Sequence, residues 1–117
     1  MEKQKVNILG TEYIISFGTD KEFPELIDMD GYTDSSTHKI VVDSMEKAKK
    51  EIGSKNDLKS YQNSVVRHEI IHAFLFESGI AENSNPVEAW GINEEMVDWF
   101  AIQSPKIFKV FQELNVL

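Results

Sequence analysis

The order of apolar and polar positions divides the chain into a strand-forming first half and a helical second half. Residues 5–9 and 12–17 read as two strands around a Gly10-Thr11 turn, with Tyr13, Ile15 and Phe17 alternating onto one face. Residues 21–27 suggest a short helix that has to accommodate Pro24. Asp28-Met29-Asp30-Gly31 is turn chemistry, and a second hairpin follows. Its strands are Tyr32-Thr33-Asp34 and residues 38–43, joined at Ser35-Ser36-Thr37, with β-branched Ile40, Val41 and Val42 facing a core. Residues 44–52 fit either a short helix capped by Ser44 or a loop ending at Gly53.

From residue 58 the period changes. Leu58, Tyr61, Val65, His68, His72 and Leu75 form one helical stripe, and Val66, Ile70, Ala73 and Phe74 form another. Apolar character on both sides predicts a central helix over residues 58–78, capped by Asn56 or Asp57 and stopped by Gly79. Asn83-Ser84-Asn85-Pro86 reads as a loop. A second helix is expected over residues 92–103, starting as early as Val87. Ser104-Pro105 reads as the cap and first residue of a last helix that runs to about residue 114. The fold class is therefore α+β, a small antiparallel or mixed sheet packed on the central helix, with further helices at the C-terminal end. A length of 117 residues fits one domain, residues 1–117.

Composition narrows the function classes. Twenty acidic against 12 basic residues give a net charge of −8, which argues against a nucleic-acid or anionic-membrane surface. Lys47, Lys49, Lys50, Lys55 and Lys59 form a local basic run, read as a solvated segment. With no cysteine there is no disulfide, thiolate metal site or Cys nucleophile. No signal-peptide core or membrane-length apolar run is evident, so a cytoplasmic protein without a membrane partner is expected.

The central helix carries the chemistry. His68-Glu69-Ile70-Ile71-His72 is an H-E-x-x-H motif. On a helix its histidines lie about 40° apart around the axis, stacked on one face, where two imidazoles can share one metal ion. Zinc lowers the pKa of a bound water to about 7, and the neighbouring Glu69 can take its proton as general base. A catalytic zinc site needs a third protein ligand. His38 is far upstream. Glu77 sits on the same helix without converging, and Glu82 and Glu88 fall in expected loop. Glu94, Glu95 and Asp98 on the second helix remain as carboxylate candidates.

A helical H-E-x-x-H followed by a helix bearing Asn93-Glu94-x-x-x-Asp98 resembles the gluzincins, the thermolysin-like branch of the zincins. Position 78, where a metzincin carries a third histidine, is Ser78. The Asp98-Trp99-Phe100-Ala101 run, the small size and the strand-then-helix order look closest to the ImmA/IrrE-type metallopeptidases of phages and prophages, with SprT-like zincins as cousins. The resemblance extends over residues 30–103 by order of elements, and specific motifs match only at residues 68–72 and 94–101. That family often has Asn where Asp98 stands here.

The resemblance implies a minimal zincin fold, one Zn²⁺ per chain and a zinc metalloendopeptidase acting on a protein or peptide substrate. It implies His68, His72 and Glu94 as metal ligands, Glu69 as catalytic base, and Asp98 as acceptor of a ligand histidine's second hydrogen bond. Helical phase also favours Glu94 over Glu95, because Glu94 and Asp98 share a face with Val97 and Ala101. Tyr32, Tyr61 and His38 are the candidates for stabilising an oxyanion. Residues 38–43 are the expected sheet edge for substrate. The competing reading is a non-enzymatic phage or prophage regulatory protein with a structural metal site.

Overall fold

The computed structural model describes residues 3–46, 57–83 and 93–117. Lys47, Lys49, Lys50, Lys55, Asn56, the residue 84–86 loop, Glu88 and Trp90 lie outside the described residues.

The chain is α+β. Four strands, β1 (Lys3–Ile8), β2 (Thr11–Gly18), β3 (Gly31–Asp34) and β4 (Lys39–Asp43), form one mixed sheet in the order β1-β2-β4-β3. The described helices are α1 (Leu58–Glu77), α2 (Ile80–Asn83) and α3 (Glu94–Glu113). The first hairpin turns at Leu9 and Gly10, both with positive φ (52° and 95°), as a two-residue hairpin turn with right-handed strand twist demands. Thr11 is therefore the first residue of β2, not part of the turn. Residues 24–27 form a single 3-10 turn rather than a longer helix, with Pro24 in its first turn, where the missing N–H is harmless.

β4 is not an edge. It pairs parallel with β2 and antiparallel with β3, so both its sides are used. The physical reason is its apolarity: Ile40, Val41 and Val42 are all buried. The less apolar β3 is left at the edge.

Asp57 caps α1 by accepting the Ser60 N–H at 3.0 Å. Gly79, at φ 86°, ends the helix. α1 sends Val65 and Ala73 into a core with Ile8, Tyr13, Ile15, Ile40, Val42 and Met45. Its Leu75 joins Ala81 and Val97 in a second cluster. Gly31 brings β3 close to α1, since a Cβ there would lie 2.9 Å from Val65 Cγ1 and 3.0 Å from the Val41 carbonyl oxygen. Beneath the sheet, Glu77 accepts hydrogen bonds from Thr11 Oγ1 and Tyr13 Oη, both at 2.8 Å, tying the end of α1 to the first hairpin.

The expected break at Ser104-Pro105 does not occur, and α3 runs through it. Proline has no N–H for the carbonyl four residues earlier. That carbonyl, on Ala101, instead accepts the Arg67 Nε–H of α1 at 2.5 Å. Glu82, expected in a loop, lies in the short α2. Among the described residues no helix is long and apolar enough to cross a membrane.

Candidate metal centre

Helical spacing sets the first two groups. His68 and His72 stand one turn apart on α1, with ring centroids 4.8 Å apart and planes at 67°. Their Nε2 atoms are 3.1 Å from each other. The third group arrives from the first turn of α3. Asn93 caps that helix, its Oδ1 accepting the Met96 N–H at 3.0 Å and its carbonyl accepting the Val97 N–H at 3.1 Å. Capping fixes where the helix starts and so where Glu94 projects. Glu94 Oε1 lies 3.0 Å from His68 Nε2 and 3.2 Å from His72 Nε2.

Three atoms bearing lone pairs, this close together, repel unless a proton or cation sits among them. Their separations of 3.0–3.2 Å approach the edge of about 3.3 Å in a tetrahedron with metal–ligand bonds of about 2.0–2.1 Å. Two imidazoles and a carboxylate also suit a borderline divalent ion. His68, His72 and Glu94 can therefore hold a metal ion, and they are the candidate cluster among the described residues.

Asp98, one turn beyond Glu94, places Oδ1 2.7 Å from His68 Nδ1. With the proton on Nδ1, that contact is a hydrogen bond and leaves the Nε2 lone pair facing the cluster. Glu95 is exposed and apart from the cluster.

Glu69, next to His68 on α1, reaches toward Thr33 of β3. It is only 6% exposed, the one buried carboxylate among the described residues. Its Oε2 is 3.9 Å from His68 Nε2. Its Oε1 is 2.8 Å from the Thr33 hydroxyl, which also lies 2.9 Å from Glu69's own carbonyl oxygen. The single hydroxyl hydrogen is therefore shared between the carboxylate and that carbonyl, which sits mid-helix and also has the Ala73 N–H as its regular partner. Burial pushes Glu69 above the usual carboxylate range, while the Thr33 hydrogen bond and the two histidines pull it back.

An open cleft of about 1080 Å³ joins these groups, bounded by β3, α1 and α3. Tyr32 and Tyr61 line it; His38 does not, and packs its ring on Tyr13 at 5.3 Å. The Tyr61 hydroxyl donates to Asp30, and burial with that carboxylate pushes the phenol up to about 12. Tyr32 is raised by burial and by Glu25. Glu77 is committed to Thr11 and Tyr13.

Sequence reasoning missed Thr33 and Gly31. Their signal is a short strand with glycine and threonine two apart, hence on one face. Only the packing of that face on α1 gives the spacing a meaning. Comparison of the chain with protein-family models, with curated proteins and with solved structures finds no match.

Proposed function

We propose that this chain is a small zinc-dependent metalloendopeptidase of gluzincin type, with the minimal zincin fold that its motifs resemble in the ImmA/IrrE-type enzymes. The observation that carries the proposal is a pairing of features. A three-ligand cluster faces an open cleft, and a buried carboxylate stands 3.9 Å from one ligand atom. The open cleft beside the cluster favours an enzyme over a closed structural metal site.

When bound by His68, His72 and Glu94, zinc supplies a Lewis acid that polarises a carbonyl and makes water acidic near neutral pH. The chain's own groups do the rest. Asp98 accepts from His68 Nδ1 and so keeps Nε2 as the ligand atom. Thr33 holds Glu69 Oε1, which leaves Oε2 on the side of the ligand nitrogens. Glu69 then takes the proton of the attacking water and returns it to the leaving amine.

Among the described residues no strand pairs with the outer side of β3, and that edge supplies a place for an extended peptide. The Asp43 N–H donates to the Asp30 carbonyl, so Asp30 and Asp43 form a hydrogen-bonded pair. Pairs alternate along an antiparallel ladder. With Gly31 opposite Val42 and Thr33 opposite Ile40, the backbone groups of Gly31 and Thr33 point away from β4. A peptide adding as a strand there lies beside Glu69.

The test is Glu69→Gln in zinc-loaded protein on a diverse peptide library. The expected result is full metal content, an intact fold and cleavage reduced at least a hundredfold. Undiminished cleavage removes Glu69 as the base. A wild-type protein that cleaves nothing favours the non-enzymatic reading.

A further inference from the structure

We propose that Arg67 is a positioning residue for the metal cluster, acting through a carbonyl that Pro105 leaves open. The proposal rests on the reading of His68, His72 and Glu94 as metal ligands. Arg67 immediately precedes His68 on α1, and its Nε donates to the Ala101 carbonyl of α3. In an uninterrupted helix that carbonyl takes the N–H of residue 105. Proline has none, and its ring pushes the carbonyl four residues back out of line. An acceptor is thereby opened on the face of α3 that packs inward, where Ala101 is 1% exposed and Val97 is fully buried.

An alanine at position 105 would satisfy the same carbonyl within α3. The tie to α1 exists because the internal donor is missing. Its position is what matters for chemistry. Asp98 lies three residues before Ala101 on α3, and Glu94 lies seven before. Both touch His68, the neighbour of Arg67. Fixing the Ala101 carbonyl to Arg67 therefore sets how far α3 can slide or turn against α1, and with it where Glu94 and Asp98 meet the histidine. A guanidinium suits this role, being planar, always charged and fixed in direction.

The test is Zn²⁺ affinity, by competition with a chromophoric chelator, in the full chain as wild type, Arg67→Met, and Arg67→Met with Pro105→Ala. Melting temperature is read alongside. Methionine keeps the apolar stem but loses the donor. Charge alone would make Arg67→Met bind zinc more tightly, since a neighbouring cation is removed. Positioning predicts the opposite, a loss of about tenfold or more. The double variant gives Ala101 a donor within its own helix, so melting temperature recovers while zinc affinity stays low. Wild-type or tighter affinity in Arg67→Met overturns the proposal. Recovery of affinity together with stability in the double variant overturns it too, because Arg67 would then only satisfy a carbonyl.

A second readout needs no metal. In metal-free protein the His68 tautomer with its proton on Nδ1, held by Asp98, is expected in the imidazole ¹⁵N shifts of wild type and to be lost in Arg67→Met. Its persistence in the variant refutes the positioning role, even if wild type binds no zinc and the metal-site reading itself falls.

Discussion

Replacing Thr33 with valine removes one hydrogen-bond donor and leaves the side-chain shape nearly unchanged. The Thr33 hydroxyl lies 2.8 Å from Oε1 of Glu69, whose residue exposure is 6%. A hydrogen bond to a charged group contributes about 1.5–3 kcal/mol, and the open cleft beside Glu69 places this one toward the lower end of that range. Thr33→Val should therefore destabilise metal-free protein by about 1.5–3 kcal/mol at neutral pH, or about 5–15 °C in melting temperature for a domain of this size. Thr33→Ser keeps the donor and loses one methyl, a cost of about 0.8 kcal/mol. In a Glu69→Gln background the valine change breaks only a neutral hydrogen bond, so its cost drops to about 0.5–1.5 kcal/mol. Urea unfolding of the four proteins measures the cycle. Under the proposed chemistry, Thr33→Val also lowers kcat more than it raises KM, because the base loses its orientation. A Thr33→Val protein as stable as wild type refutes the reasoning. So does a Thr33→Ser protein that falls as far as the valine variant.

Gly31→Ala should cost about 1–3 kcal/mol by overpacking, since the new Cβ meets Val65 Cγ1 at 2.9 Å and the Val41 carbonyl oxygen at 3.0 Å. Combined with Val65→Ala, the two losses in urea unfolding should sum to less than their separate values, as the first clash is relieved. Glu77 sits below the usual carboxylate range because Tyr13 and Thr11 donate to it. A folded-state pKa below the unfolded one gives stability that is present above the usual carboxylate pKa and lost as pH falls. Glu77→Gln should therefore flatten the decline in melting temperature below about pH 5, and an unchanged decline contradicts the assignment.

What was legible in the sequence is what local periodicity controls. The apolar stripes and Asp57 locate α1, whose regularity alone stacks His68 on His72. The same logic reaches Glu94. Val97 and Ala101 must face inward, and Glu94 and Asp98 share their side of α3. Three features were not legible because each depends on a partner distant in sequence. β4 is interior through its parallel pairing with β2, and strand order leaves no local trace. Pro105 reads as a helix boundary unless an outside donor takes the freed carbonyl, and that donor is Arg67, 38 residues earlier. Thr33 is an ordinary strand threonine until Gly31 lets β3 approach α1 and puts its hydroxyl on Glu69.

The central claim is that His68, His72 and Glu94 form one metal site. Elemental analysis of protein purified without a metal-affinity step tests it most directly, on wild type, Glu94→Ala and Glu95→Ala prepared together. About one zinc per chain is expected in wild type and in Glu95→Ala, and a strong loss in Glu94→Ala, because Glu94 Oε1 lies 3.0 Å from His68 Nε2 while Glu95 is exposed and apart. A metal-free wild type that stays so after incubation with zinc contradicts the account, and loss in Glu95→Ala with retention in Glu94→Ala contradicts the assignment of the third ligand.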